Sequence, residues 1–170
     1  MMFGVTSYQT DRLSVLIFCL LAVLSSGCAS ESRRAVFRFE SGAAVTIPYE
    51  EGWLGRPVIE GSINGVRGKF LIDTGANEPV LTMKAIRRCG IRLSHKTKAA
   101  GFAGNDALHQ LRLVDGDVNI EIQGARLTWG NVPILSGLGS DEWFGLIDYH
   151  TLKAAHAIIN LKERTITLSP

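Results

Sequence analysis

The sequence predicts an all-β, barrel-like domain carrying one or two short helices, and three observations lead there. Short apolar segments, several of them alternating with polar residues, recur between residues 36 and 170. Turn pairs such as Asn64-Gly65 and Gln123-Gly124 punctuate them, and Asn-Gly in particular favours the positive φ angles of a tight hairpin. Only two stretches have helical character, and both are brief. Many short strands with few helices fit a barrel better than a layered α/β fold. The length of 170 residues suits one domain, and 46% hydrophobic with 20% charged residues suits a globular one. A net charge of +2 gives no reason to expect nucleic acid as a partner.

The elements follow in order. Val36-Phe37-Arg38-Phe39 alternates and reads as a first strand, and Gly52 to Pro57 reads as a loop. Val58 to Ile63 is a strand, Asn64-Gly65 the turn, and Gly68 to Ile72 the returning strand, which runs into Asp73-Thr74-Gly75. Thr82 to Cys89 is helical in pattern, with Thr82 able to cap its start and Gly90 to end it. Residues 111–135 return to strands: Val118 to Ile122 alternates, Gln123-Gly124 turns, Ala125 to Trp129 returns, and Gly130-Asn131 turns into Val132-Pro133-Ile134-Leu135. Ser136 to Asp141 is a loop, and Leu146 to Ala155 is expected to be the second helix. Ala157 to Leu161 and Thr165 to Leu168 form a last hairpin around Lys162-Glu163-Arg164.

The first residues belong to export rather than to the fold. After Arg12 comes an apolar run, Leu13 to Leu24. At about a dozen residues it is short of the roughly 20 that a membrane-crossing helix needs. Small residues and Cys28 follow it. This order resembles a bacterial lipoprotein signal, which implies a signal peptide over 1–27, lipidation of Cys28, a polar tether over 28–35, and a folded domain over 36–170 held at the periplasmic side of the cell envelope. Ordinary cleavage nearby or an uncleaved anchor would export the domain as well. Of three cysteines, Cys19, Cys28 and Cys89, only the last lies in the folded part, so no disulfide framework is expected there.

The chemistry concentrates at Asp73-Thr74-Gly75. An apolar strand delivers the carboxylate of Asp73 into a turn and holds it. Gly75 permits a sharp bend and close approach of backbone N–H groups to that carboxylate. Thr74 offers a hydroxyl able to bond backbone across a symmetric junction. Acid–base hydrolysis of a peptide through carboxylates needs two of them sharing one proton. The sequence holds a single Asp-[Ser/Thr]-Gly, since Asp115-Gly116 lacks the hydroxyl residue between. The second Asp73 must then come from another copy across a two-fold axis, which makes a homodimer the expected partner.

From about Ile47 to Leu168 the chain resembles the retropepsin-like (gag-polyprotein-type) aspartic proteases, bacterial members included. The resemblance rests on Pro57-Val58-Ile59-Glu60 through Asn64-Gly65, on Gly68-Lys69-Phe70-Leu71-Ile72-Asp73-Thr74-Gly75-Ala76, and on Gly145-Leu146-Ile147, Leu152 and Ala157-Ile158-Ile159-Asn160 with the closing hairpin. It implies an acid-protease barrel and an aspartic endopeptidase with Asp73, Thr74 and Gly75 as its catalytic set. It also implies a peptide or protein substrate and no cofactor or metal. Phe102-Ala103-Gly104 stands where the family carries the hairpin that closes over substrate, with Gly101 and Gly104 giving that loop the freedom a lid requires. The chain departs from the family where Asp148 follows Leu146-Ile147 in place of the usual glycine. It departs again at His150, where relatives often carry Asp, and at Asn77.

Two other readings remain open at this level. One is a peptide-binding or structural envelope lipoprotein that keeps the fold without catalysis. The other is a metal-dependent hydrolase using histidines, although His150 and His156 lack the spacing of a usual zinc pair.

Overall fold

The computed structural model describes residues 35–102, 105–136 and 143–170. The expected signal peptide, Cys28 and nearly all of the tether lie outside these residues, as do Gly104 and most of the Ser136–Asp141 loop.

The strand hairpin that leads to Asp73 is built as its sequence requires. Strand β4 (Pro57–Ile63) pairs antiparallel with β5 (Val66–Asp73), with Ile63 opposite Val66 and Val58 opposite Leu71. The turn between them is Asn64 at φ 52° and Gly65 at φ 75°, the left-handed pair that twists with the strands. The same device joins β9 (Asp117–Ile122) to β10 (Ala125–Gly130), through Gln123 at φ 43° and Gly124 at φ 85°. In β9 the inward residues Val118, Ile120 and Ile122 alternate with exposed ones, as a strand with one wet face should.

The remaining strands of the main sheet assemble around this pair. They are β1 (Val36–Phe39), β3 (Glu50–Glu51), β6 (Val80–Thr82), β11 (Ile134–Leu135) and β12 (Trp143–Asp148). The order is β1-β10-β9-β4-β5-β12-β6-β11, with β3 on β4. Among the described residues the ladder does not return on itself, so the sheet is an open half-barrel ending at β1 and β11. A small second sheet joins β2 (Val45–Pro48), β13 (Ile158–Asn160) and β14 (Thr165–Leu168) in the order β13-β14-β2. A separate hairpin pairs β7 (Leu93–Phe102) with β8 (Asn105–Val114).

Two central strands are buried on both faces. In β5, Phe70 and Ile72 enter the main core beside Phe144, Ile120 and Trp129, while Leu71 turns to a second cluster with Val58, Val80 and Leu146. Each such large apolar side chain contributes about 1.5–3 kcal/mol when fully buried. In β12 every residue is buried. This strand corrects the expected helix over Leu146–Ala155: Leu146, Ile147 and Asp148 are strand, paired in parallel with Leu71, Ile72 and Asp73. A continuous apolar run buried on both sides has no period to distinguish strand from helix. Only Tyr149–Ala154 is helical (α2), following Asp148 as its N-cap.

The earlier helix, α1 (Met83–Arg88), has the caps its sequence advertises. The Thr82 hydroxyl accepts from Ala85 N at 3.3 Å, Gly90 adopts φ 64°, and Ile91 N donates back to Ile86 O at 3.0 Å. That return bond with a left-handed glycine is the usual way to close a helix.

Candidate active site

Asp73 is the last residue of β5, so the central strand of the sheet fixes its backbone. Its Oδ1 accepts from Gly75 N at 3.0 Å, and its carbonyl accepts from Ala76 N at 3.1 Å. A Cβ on residue 75 would lie 3.3 Å from that same Oδ1, so a glycine allows this close approach. The far side of the loop is tied down as well, because Tyr149 N donates to Ala76 O at 3.0 Å. The side chain of Asp73 stays 18% exposed, and Thr74 beside it is exposed. The carboxylate is therefore oriented but still open to a ligand.

The second oxygen has a partner that the sequence reading did not name. Arg56 Nη1 lies 3.3 Å from Asp73 Oδ2. The signal for it was available. A two-residue turn at Asn64-Gly65 sets a hairpin register in which Ile63 faces Val66 and Val58 faces Leu71. Continuing that register by two residues brings Arg56 opposite Asp73. Reading Gly52 to Pro57 only as a loop hid this.

Asp148 stands beside Asp73 in the parallel β5–β12 register, yet it is not a second free carboxylate. It is 1% exposed. Its Oδ2 accepts from His150 N at 3.0 Å and its Oδ1 from Thr151 N at 3.3 Å. Both oxygens are thus committed to the start of α2.

Gly101 and Phe102 fall at the end of β7, where Phe102 pairs with Asn105 across the hairpin tip. Gly104, the remaining residue expected of the lid, lies outside the described residues. The stem of this hairpin reaches the site region by two routes. Ala100 and Ala76 both pack on the second apolar cluster, and Lys98 of β7 forms an ion pair with Glu78, five residues past Asp73. Cys89 is buried at the end of α1. Its thiol is pushed above the ordinary value by burial, with a smaller opposing pull from Arg88. Among the described residues no group of three or more His, Cys, Asp or Glu side chains is placed to hold a metal ion.

Residues 59–145, from the strand before the Asn64-Gly65 turn to the glycine of β12, match the family described as "gag-polyprotein putative aspartyl protease". The chain belongs to this family. The match takes in the Asp73 loop and the β7–β8 hairpin and stops short of Asp148. None of the curated proteins matches the chain. Solved structures similar to this protease-family chain include the retroviral protease-like domain of Ddi1 from Leishmania major, at 18% identity and TM-score 0.48. That similarity covers 73% of this chain and 89% of the other. Another is a retropepsin-like aspartic protease from Rickettsia conorii, at 19% identity and TM-score 0.47, covering 79% of this chain and 92% of the other.

Proposed function

We propose that the chain is an aspartic endopeptidase that works as a homodimer, with Asp73 of each copy supplying one member of the catalytic pair. The observation that carries this reading is the state of Asp73: held at a strand end by Gly75 N, yet still 18% exposed. The neighbouring carboxylate, Asp148, is engaged elsewhere, which supports taking the second member from another copy. In the assembled pair the two carboxyl groups hold one proton and one water. The ionised member takes a proton from the water as the water attacks the peptide carbonyl, and the protonated member stabilises the developing oxyanion and then serves the leaving nitrogen. Thr74 bonds backbone across the junction, and Gly101, Phe102 and Gly104 belong to a lid that closes over an extended peptide. No metal or organic cofactor enters this chemistry.

The location is part of the proposal. Export by the first 27 residues and lipidation of Cys28 would hold the domain at the periplasmic side of a membrane, where exported or envelope proteins are the substrates within reach. Confinement to a surface also raises the effective concentration of one copy for another.

The test is cleavage of an unstructured protein by the wild-type domain and by Asp73→Asn, from mildly acid to neutral pH, with titration of one into the other. Loss of cleavage in Asp73→Asn, and suppression of wild-type activity as mixed dimers form, are the expected results. Equal cleavage by both proteins, or full activity from a strictly monomeric sample, overturns the reading.

A further inference from the structure

A carboxylate stands in this chain where the family pattern places glycine after Leu146-Ile147. Asp148 is the C-terminal residue of β12, in register with Asp73 of β5, and is 1% exposed. A buried carboxylate needs its oxygens satisfied. Here the partners are the amides of His150 and Thr151, at 3.0 and 3.3 Å. The first N–H groups of a helix have no partner inside the helix. In α2 the three leading amides are all accounted for: His150 and Thr151 go to Asp148, and Tyr149 goes to Ala76 O at 3.0 Å. The Tyr149 bond holds the far end of the loop that begins at Asp73. Its direction depends on where α2 starts, and Asp148 sets that start. The same turn is anchored once more, because the Thr151 hydroxyl accepts from the buried Trp129 Nε1 at 3.2 Å.

We infer that Asp148 is a positioning residue for the Asp73 loop, acting through the first turn of α2 and the Tyr149–Ala76 bond. It does not touch the reacting atoms. Its effect on catalysis rests on the proposed role of Asp73, while its effect on the loop does not.

The experiment uses the whole exported domain, with Asp148→Gly to remove the carboxylate and Asp148→Asn to keep an acceptor at the cap. Glycine is accepted at an N-cap far better than alanine or the aliphatic residues, so this variant removes the carboxylate with the least insult to the helix start. Two quantities are read: amide hydrogen exchange at single residues, and kcat with KM on an unstructured substrate. In Asp148→Gly, exchange is expected to quicken about tenfold at Gly75 and Ala76 as well as at Tyr149, His150 and Thr151, with β9 and β10 unchanged. Loss of loop alignment should lower kcat by about tenfold to a hundredfold with KM within about twofold. Asp148→Asn keeps one of the two acceptors and sets its NH2 against the other backbone N–H, so it should fall between wild type and Asp148→Gly in both.

Faster exchange confined to residues 149–151 shows a helix cap only and overturns the inference, as does a lower kcat with exchange at Gly75 and Ala76 unchanged. Should Asp148→Gly not fold, Asp148→Asn still decides the matter: quicker exchange at Gly75 and Ala76 together with residues 149–151 is expected, and quickening at 149–151 alone overturns the inference. If the wild type cleaves nothing while the exchange pattern is as expected, the proposed function fails and the positioning role stands.

Discussion

Arg56 holds Asp73: the guanidinium Nη1 sits 3.3 Å from Oδ2 in the single chain, while Gly75 N holds the other oxygen. A shared-proton pair of carboxylates needs at least one oxygen of each Asp73 turned toward its counterpart. In the proposed dimer the Arg56 contact would therefore be shared or exchanged. The pair is open enough for that, with side chains 37% and 18% exposed. Ion pairs with that degree of solvent access contribute about 1 kcal/mol or less.

Arg56→Gln is expected to lower unfolding stability by no more than about 1 kcal/mol in urea titration. It should reduce kcat/KM by less than about tenfold, because Arg56 orients a carboxylate without entering the proton traffic. Asp73→Asn removes that traffic and should leave no measurable cleavage. A loss in Arg56→Gln as deep as that in Asp73→Asn would make Arg56 a member of the catalytic set.

What the sequence disclosed and what it withheld divide along the range of the interactions. The Asn64-Gly65 turn, the Thr82 cap and the Gly90 stop are set by residues within a few positions of each other, and each stands where the local chemistry places it. Asp73 at the end of an apolar strand was legible for the same reason. Val45–Pro48 was not, because its strand exists through pairing with Thr165–Leu168 far along the chain. Leu146 to Asp148 read as helix because burial on both faces erases the alternation that marks a strand. Asp148 stands out in the sequence only as a departure from the family's glycine, and its place beside Asp73 follows only from the parallel pairing of β12 with β5. Parallel neighbours leave no turn signal between them.

On its other side β12 pairs antiparallel with β6, Gly145 opposite Leu81, and that pairing leaves no room for a side chain at residue 145. A Cβ there would lie 2.5 Å from Val80 O and 3.0 Å from Leu81 Cδ2. The clash is with backbone in the adjoining strand β6, so no rotamer change relieves it. Gly145→Ala should cost about 1–3 kcal/mol in urea-induced unfolding, the usual range for overpacking. Gly42→Ala, where nothing lies within 4 Å but φ is +64°, is the control for backbone strain alone. A Gly145→Ala protein as stable as wild type would mean that β12 and β6 do not approach as closely as these atoms place them.

Cys89 carries the pH prediction. Burial raises its thiol above the ordinary value of 9.0, with Arg88 opposing. On raising the pH the unfolded chain therefore loses this proton first. Between the unfolded and folded values the unfolded state binds fewer protons, so stability falls with pH. The contribution is whole below the unfolded value and is lost as pH climbs through the folded one. Cys89→Ala should start about 1 kcal/mol or more less stable at neutral pH, from the atoms removed. It should then decline less steeply than wild type above about pH 9. Parallel curves for the two proteins would show that the thiol does not set the slope.

The ion pair between Lys98 and Glu78 joins the stem of the β7–β8 hairpin to the segment that follows the Asp73 loop. If that hairpin is the lid, admitting a peptide separates these two side chains, and the pair opposes opening. Both are partly exposed, at 43% and 31%, so salt reaches them and weakens their attraction. A double-mutant cycle with Lys98→Met and Glu78→Gln should give a coupling below about 1 kcal/mol in stability. The functional consequence is sharper than the energetic one. KM of the wild type should change between about 50 mM and 500 mM salt, and Lys98→Met should remove most of that dependence while kcat holds. Identical salt responses in wild type and Lys98→Met would detach the hairpin stem from substrate entry.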